Sequence, residues 1–405
     1  MFKIKFMKNY LLFGALALSV LGSCSNDDVV DINKGSGISF RASLDKAVAS
    51  RAAGTIDNVT TLQNLQAFNV TALGNGNNYF TDVLVNKVTG KVGTEAWQPS
   101  KIYYWPTYGL DFYAYAPSDI SGVSISNTEK TIKSFVPAQD VANQKDLLIA
   151  RNIGTKDDND ILGVSLNFKH ALSQIDVQAK CSNPNIKIEV LAVKLANMAT
   201  KGNFDFPTGK TAGGSENVTL PNVDLNGQWK NLSDLNDHTK SYVVKGTSSV
   251  ILNNTPQSLM FGDAKFMLIP QQLQAWNNDQ KKTGAYLSVL CRISSINGSE
   301  ETLIYPQPTA TDKKDSKYAF AAVAIDTNWL PGKRYVYTLD FCAPNGGAGR
   351  IDPNPTDPTN TISEVVDNVP VKDGKGGDPI LGKSIMYNVG VDDWTDATPA
   401  PNINM

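Results

Sequence analysis

In this 405-residue sequence the side chain best placed to do chemistry is the thiol of Cys24. It ends the run Leu21-Gly22-Ser23-Cys24, a large apolar residue, two small ones and a cysteine, which matches the bacterial lipobox. Small residues let such a strand enter a peptidase site, and the thiol then accepts a diacylglycerol. The segment ahead of it agrees. Lys3, Lys5 and Lys8 form a positive n-region, and Leu11 to Leu21 is uncharged and apolar but short of the roughly 20 residues a spanning helix needs. Residues 1–23 therefore read as a lipoprotein signal peptide and Cys24 as the lipidated first residue. Removing the peptide takes away three lysines and no acid, so the exported chain is more negative than the precursor's net charge of -2.

The other reactive residue types are sparse. Cys181, Cys291 and Cys342 allow one disulfide and a free thiol, but no CxxC pair occurs, and they read as small apolar fillers of strands. Of the two histidines, His170 falls among inward-facing apolar residues and reads as a hydrogen-bonded core histidine, while His238 lies in a polar loop. Asp157-Asp158-Asn159-Asp160 starts like a calcium loop, yet Ile161 follows where a ligand is needed and no glycine comes next; a solvated loop is expected. Gly74-Asn75-Gly76-Asn77 reads as a hairpin turn. No nucleophile elbow, Walker loop or zinc-binding HExxH helix occurs. The sequence reads as a non-enzyme without cofactor or metal, and its near-neutral charge argues against nucleic acid as a partner.

The elements that must position whatever remains are strands. Tyr335, Tyr337, Leu339 and Phe341 alternate with polar or smaller residues, as do Leu287, Val289, Cys291 and Ile293. One-sided alternation of this kind marks strands with one face on a core. In Leu166, Phe168, His170 and Leu172, then Ile175, Val177 and Ala179, the phase slips near Ser173, which predicts a bulge. Helical patterns are few, the best being Asp140 to Arg151 and Gln271 to Lys281. A domain boundary is expected near Cys181 to Asn185. The proline-rich stretch 343–378 is expected to be an extended connector that delivers a last strand, 383–394.

The densest aromatic cluster is also where a family resemblance becomes specific. Trp97-Gln98-Pro99, Tyr104-Trp105-Pro106, Leu110-Asp111-Phe112-Tyr113-Ala114-Tyr115-Ala116-Pro117, Asp146-Leu147-Leu148-Ile149-Ala150 and Phe168-Lys169-His170-Ala171-Leu172 resemble the N-terminal domain of the Bacteroidota fimbrillins, the Mfa-like pilins of type V pili. Leu268-Ile269-Pro270-Gln271 and Leu330-Pro331-Gly332-Lys333-Arg334-Tyr335-Val336-Tyr337 resemble their C-terminal domain.

The resemblance implies a mainly β chain of two β-sandwich-like, transthyretin-like domains in tandem with few short helices. The division is then a signal peptide at 1–23, a leader at 24–51, and domains at 52–182 and 183–405. It also implies a surface-exposed outer-membrane lipoprotein that is cut by an arginine-specific protease and then joins other pilus subunits in a fimbrium. The strand to be removed is Gly37 to Leu44, with Ile38, Phe40, Ala42 and Leu44 on one face, and Arg51 matches the processing position. Arg41 is the alternative but lies inside the strand. The strand donated in exchange is Ser384 to Val391, presenting Ile385, Tyr387, Val389 and Val391; an edge strand of its own domain is the equal alternative. A monomeric lipoprotein that binds a host glycan or protein receptor, or a pilus anchor, is the rival role. Stacking of a sugar on Tyr103, Tyr104 and Trp105 would serve that receptor-binding role.

Overall fold

The computed structural model describes residues 37–44, 65–88, 96–209, 226–277, 283–307, 317–355, 362–365 and 374–394. The chain is mainly β. Its first strands are β1 (Phe40–Leu44), β2 (Ala67–Gly74), β3 (Asn77–Val88), β4 (Ala96–Pro99), β5 (Leu110–Ala116), β6 (Val123–Ile125), β7 (Lys130–Phe135), β8 (Leu148–Gly154) and β9 (Val164–His170). There follow β10 (Ser173–Lys180), β11 (Ile186–Ala196), β12 (Lys201–Asp205), β13 (Gln228–Ser233), β14 (Tyr242–Ile251), β15 (Gln257–Ser258) and β16 (Phe266–Leu268). The last are β17 (Tyr286–Asn297), β18 (Glu300–Tyr305), β19 (Ala319–Ala324), β20 (Lys333–Asp340), β21 (Arg350–Ile351) and β22 (Met386–Asp393). Among the described residues no helix is long and apolar enough to cross a membrane.

The first half is built of strands, as expected, with one feature periodicity does not show. Its strands close into a barrel in the order β1-β4-β3-β2-β5-β8-β9. Closure depends on β1, which pairs in parallel with β9 from Phe40↔Val164 to Leu44↔Phe168 and meets β4 at Phe40↔Trp97. By bridging those two edges it removes the open sides that a sandwich would keep. Period-two alternation turns Phe40, Phe68, Phe112 and Phe168 inward. Their rings meet edge to face, with centroids 5.4 Å apart for Phe40 and Phe112 and 5.1 Å for Phe68 and Phe168.

The second half is a sandwich. One sheet runs β15-β10-β20-β22, with β16 also on β10; the other runs β14-β11-β17-β19-β21, with β18 on β17. Ile175, Val177, Tyr335, Tyr337 and Leu339 from the first meet Val190, Val193, Leu287, Val289 and Ala321 from the second. A small sheet, β13-β12-β7-β6, takes two strands from each side of residues 182/183. Its Phe204 and Ile132 cover Tyr113, Tyr115 and Ile149, which face outward from the barrel.

Several local expectations change. The phase slip at Ser173 is a passage between two cores, since Leu166 and Phe168 fill the barrel while Ile175 and Val177 fill the sandwich. Within Asp140 to Arg151, a short 3-10 turn (Val141–Asn143) gives way to β8, because pairing with β5 satisfies the backbone of Leu148, Ile149 and Ala150. The described part of Gln271 to Lys281 is likewise not helical: isolated bridges join Gln272 to Asn328 and Ala275 to Ala285. Cys181 and Cys342 are not fillers but a disulfide, formed because parallel β10 and β20 bring their ends to a Cα separation of 4.9 Å. Cys291 is a free, buried thiol, its pKa raised by desolvation.

The described parts of 343–378 are anchored rather than loosely extended. β21 pairs with β19, and beyond it the carboxylate of Asp352 meets the Lys194 ammonium at 2.8 Å with both side chains almost wholly buried. Tyr286 donates to Asp352 at 3.0 Å, Ser288 donates to it as well, and Lys194 donates to the Asn354 carbonyl at 2.8 Å. Ion pairs at such depth persist because the remaining donors and acceptors are satisfied.

Candidate functional site

Among the described residues no group of three His, Cys, Asp or Glu stands where it could hold a metal. The features that could do work are the two terminal strands. In β1, alternation puts Ile38, Phe40 and Leu44 into the barrel core with Ala42 half-buried beside them, while Arg41 points to solvent. Burying the three large side chains contributes on the order of 6 kcal/mol. The Ile38 amide donates to the Tyr103 carbonyl at 2.7 Å, and Ser39 accepts from the Val164 amide at 2.8 Å. The Ser43 hydroxyl donates to Asn167 Oδ1 at 3.2 Å. Without β1 these groups, the β9 edge and an aromatic floor would all face water.

β22 is an edge strand. It pairs antiparallel with β20 from Lys333↔Asp393 to Asp340↔Met386. Ile385, Tyr387, Val389 and Val391 share its core-facing side, but burial fades along it: Ile385 is 2% exposed, Tyr387 and Val389 are half-buried, and Val391 is 53% exposed. Gly349, at φ 90°, lets the chain ahead of β21 pass over Ile385, because a Cβ there would stand 2.9 Å from Ile385 Cδ1. Burial and the Asp326 carboxylate raise the pKa of the Tyr387 phenol, which stays neutral.

The far end of β22 is held by a latch that sequence reasoning missed. Trp394 is buried and stacks on His170 with ring centroids 4.1 Å apart, and its amide donates to the Gly332 carbonyl at 2.9 Å. His170 Nδ1 lies 2.6 Å from Asp146 Oδ2. The available signal was an apolar indole directly after Asp392-Asp393, where an exposed tail would carry none.

Of the other predicted sites, Cys24 and Arg51 lie outside the described residues. Asp157 and Asp158 occupy the first turn of a short helix (Lys156–Asn159) capped by Thr155, and His238 opens a 3-10 turn (His238–Lys240) capped by Asp237. The aromatic cluster divides. Phe112 faces the barrel interior, Tyr103 and Trp105 pack partly against it, and Tyr104 and Tyr108 are exposed.

The described residues thus form a barrel whose strand β1 is paired on both flanks, joined to a sandwich in which β22 is an edge strand. The profile of the fimbrillin-like family matches residues 50–366, and the chain belongs to that family. The matched span leaves both β1 and β22 outside it. No curated protein matches. Similar solved structures include a candidate cell adhesion protein of Parabacteroides distasonis, at 10% identity over 89% of this chain and 99% of that one, with a TM-score of 0.44. A candidate cell adhesion protein of Bacteroides uniformis shares 13% identity over 89% and 98%, with a TM-score of 0.39. The fimbrial anchor protein Mfa2 of Porphyromonas gingivalis shares 9% over 76% and 91%, with a TM-score of 0.30.

Proposed function

We propose that this chain is a structural subunit of a surface fimbrium that polymerises by replacing β1 with β22 of another copy. It is exported as an outer-membrane lipoprotein through Cys24, and cleavage after Arg51 by an arginine-specific protease frees both the lipid and β1. The observation that carries this reading is the double pairing of β1. Cutting the chain between β1 and β2 detaches an element on which barrel closure depends, and the vacancy it leaves has a backbone edge on β9 and an apolar floor. Extended chain added to such an edge gains main-chain hydrogen bonds and pockets for alternate side chains. The face of β22 has the same period-two set of four apolar positions as β1, and its own sandwich leaves Val391 uncovered.

The test is to treat the purified chain with an arginine-specific protease. The expected product begins at Ala52 and forms a ladder that resists detergent. A chain that keeps Cys24 with its lipid and never forms a ladder would instead act as a monomeric receptor-binding lipoprotein or as an anchor. Pairing of β22 on β20 along its full length favours that second reading, because donation requires this pairing to be undone.

A further inference from the structure

The barrel has two mouths, and they differ. At one, Leu44, Leu148 and His170 mark the strand ends; there the chain passes straight from β9 into β10 with Ala171 and Leu172 buried, and Trp394 stacks on His170. Residues of the sandwich side, Ile269 and Trp394, pack on Ala171 and Leu172 at that mouth. The other carries the β2–β3 turn, the start of β5 paired to the end of β8, and Gly163 at the head of β9. At this free mouth the N-terminal end of β1 leaves the barrel.

Among the described residues, the rim of the free mouth exposes large apolar side chains beside the charged Lys156, Asp157 and Asp158. Ile161 is 94% exposed, Ile102 70% and Leu162 63%, and Tyr104, Tyr108 and Ile153 are exposed beside them. Short contacts tie these loops to the strand's exit: a Cβ on Gly37 would stand 2.9 Å from Ile102 Cγ2, one on Gly74 2.7 Å from the Tyr108 ring, and one on Gly163 2.9 Å from Ser39 Oγ. Thr155 caps the helix that ends just before Ile161, accepting from the Asp158 amide at 3.3 Å, so the loop that presents Ile161 and Leu162 is braced. Several large apolar side chains exposed together on one pole mark an interaction surface.

We infer that this rim is the docking surface for a second copy of the chain, the copy whose strand enters the barrel. The inference rests on the strand-exchange reading above. A strand that takes the place of β1 must leave its own domain standing outside one mouth. The receiving copy's own β9–β10 passage, Ile269 and Trp394 stand at the far one, so the donor stands against the free mouth and covers the rim. The joint is then a strand in the barrel plus an apolar collar around its entrance.

The experiment uses the full chain treated with an arginine-specific protease, comparing wild type with the double substitution Ile161→Asp and Leu162→Asp. Both positions are exposed, so the melting temperature and the new N-terminus at Ala52 should match wild type, while ladder formation should slow at least about tenfold. Ile102→Asp, on a different loop, should repeat the effect, and a photoreactive benzoylphenylalanine at position 161 should join two copies within the polymer. A double variant that polymerises at the wild-type rate, or a polymer with no cross-link from position 161, overturns the docking surface and leaves strand exchange standing. If wild type itself forms no ladder, strand exchange fails and the docking surface with it.

Discussion

β1 and β22 are both short strands with one apolar face, yet the fold treats them oppositely. β1 has neighbours on both flanks and closes a barrel around its side chains. β22 has one neighbour, and its apolar face runs off the end of its own core at Val391. A doubly paired strand leaves a costly vacancy when it goes, whereas an edge strand loses one ladder and can gain two. In a closed chain the covalent tether to β2 keeps β1 in its place, and β22 has nowhere better to go. The asymmetry therefore makes a cut between β1 and β2 the step that would turn a stable monomer into an acceptor.

The most drastic way to break that comparison is to forbid the cut. Arg51→Ala should leave the fold and melting temperature unchanged and abolish the detergent-resistant ladder entirely. A ladder of normal yield from this variant would move processing elsewhere, with Arg41 the alternative. Next in size is Phe40→Ala, which empties the centre of the barrel. The unprocessed chain should lose about 3–5 kcal/mol, read by guanidinium unfolding. The assembled polymer should resist heat and detergent like wild type, because β1 has left it. A polymer weakened by Phe40→Ala would mean that β1 stays in place, and the contrast between the two strands would fail.

Trp394→Ala addresses the other strand. Losing a buried indole and its stack on His170 should destabilise the processed monomer by about 3–5 kcal/mol and make the ladder form faster, since the latch holds β22 in its own sandwich. A slower ladder would place Trp394 in the joint between copies rather than against its formation.

Much of this arrangement was legible in side-chain periodicity. Alternation at Tyr335 to Phe341 and at Leu287 to Ile293 identified faces that do line the sandwich core, and the alternation of Ile38 to Leu44 marked the face that fills the barrel. Alternation says which face is buried and is silent on the neighbour, because strand partners are chosen by packing at a distance in sequence. Hence the parallel pairing of β1 with β9, and the barrel it closes, could not be read. The same limit hid the Cys181–Cys342 disulfide and the buried pair of Lys194 with Asp352, whose partners meet only once the sheets have formed. Ile161 and Leu162 were passed over for a different reason: the preceding run of acids made the loop look uniformly solvated.

The smallest effect on the monomer is the sharpest test of the comparison. Val391 stands opposite Tyr335 on the core-facing side of β22 but is largely in water, so Val391→Asp should change monomer stability by no more than about 0.5 kcal/mol. In a donated strand the same residue would occupy an inward position like those of Ile38, Phe40 and Leu44, where a carboxylate has no partner and its burial costs several kcal/mol. The variant should therefore be cut normally, keep a wild-type melting temperature, and accept strands from unmodified copies while failing to donate its own. Mixed with wild type after processing, it should end chains and shorten the ladder in proportion to its share. If it donates as well as wild type, Val391 stays in water in the polymer, and the uncovered end of β22 is an ordinary sheet edge.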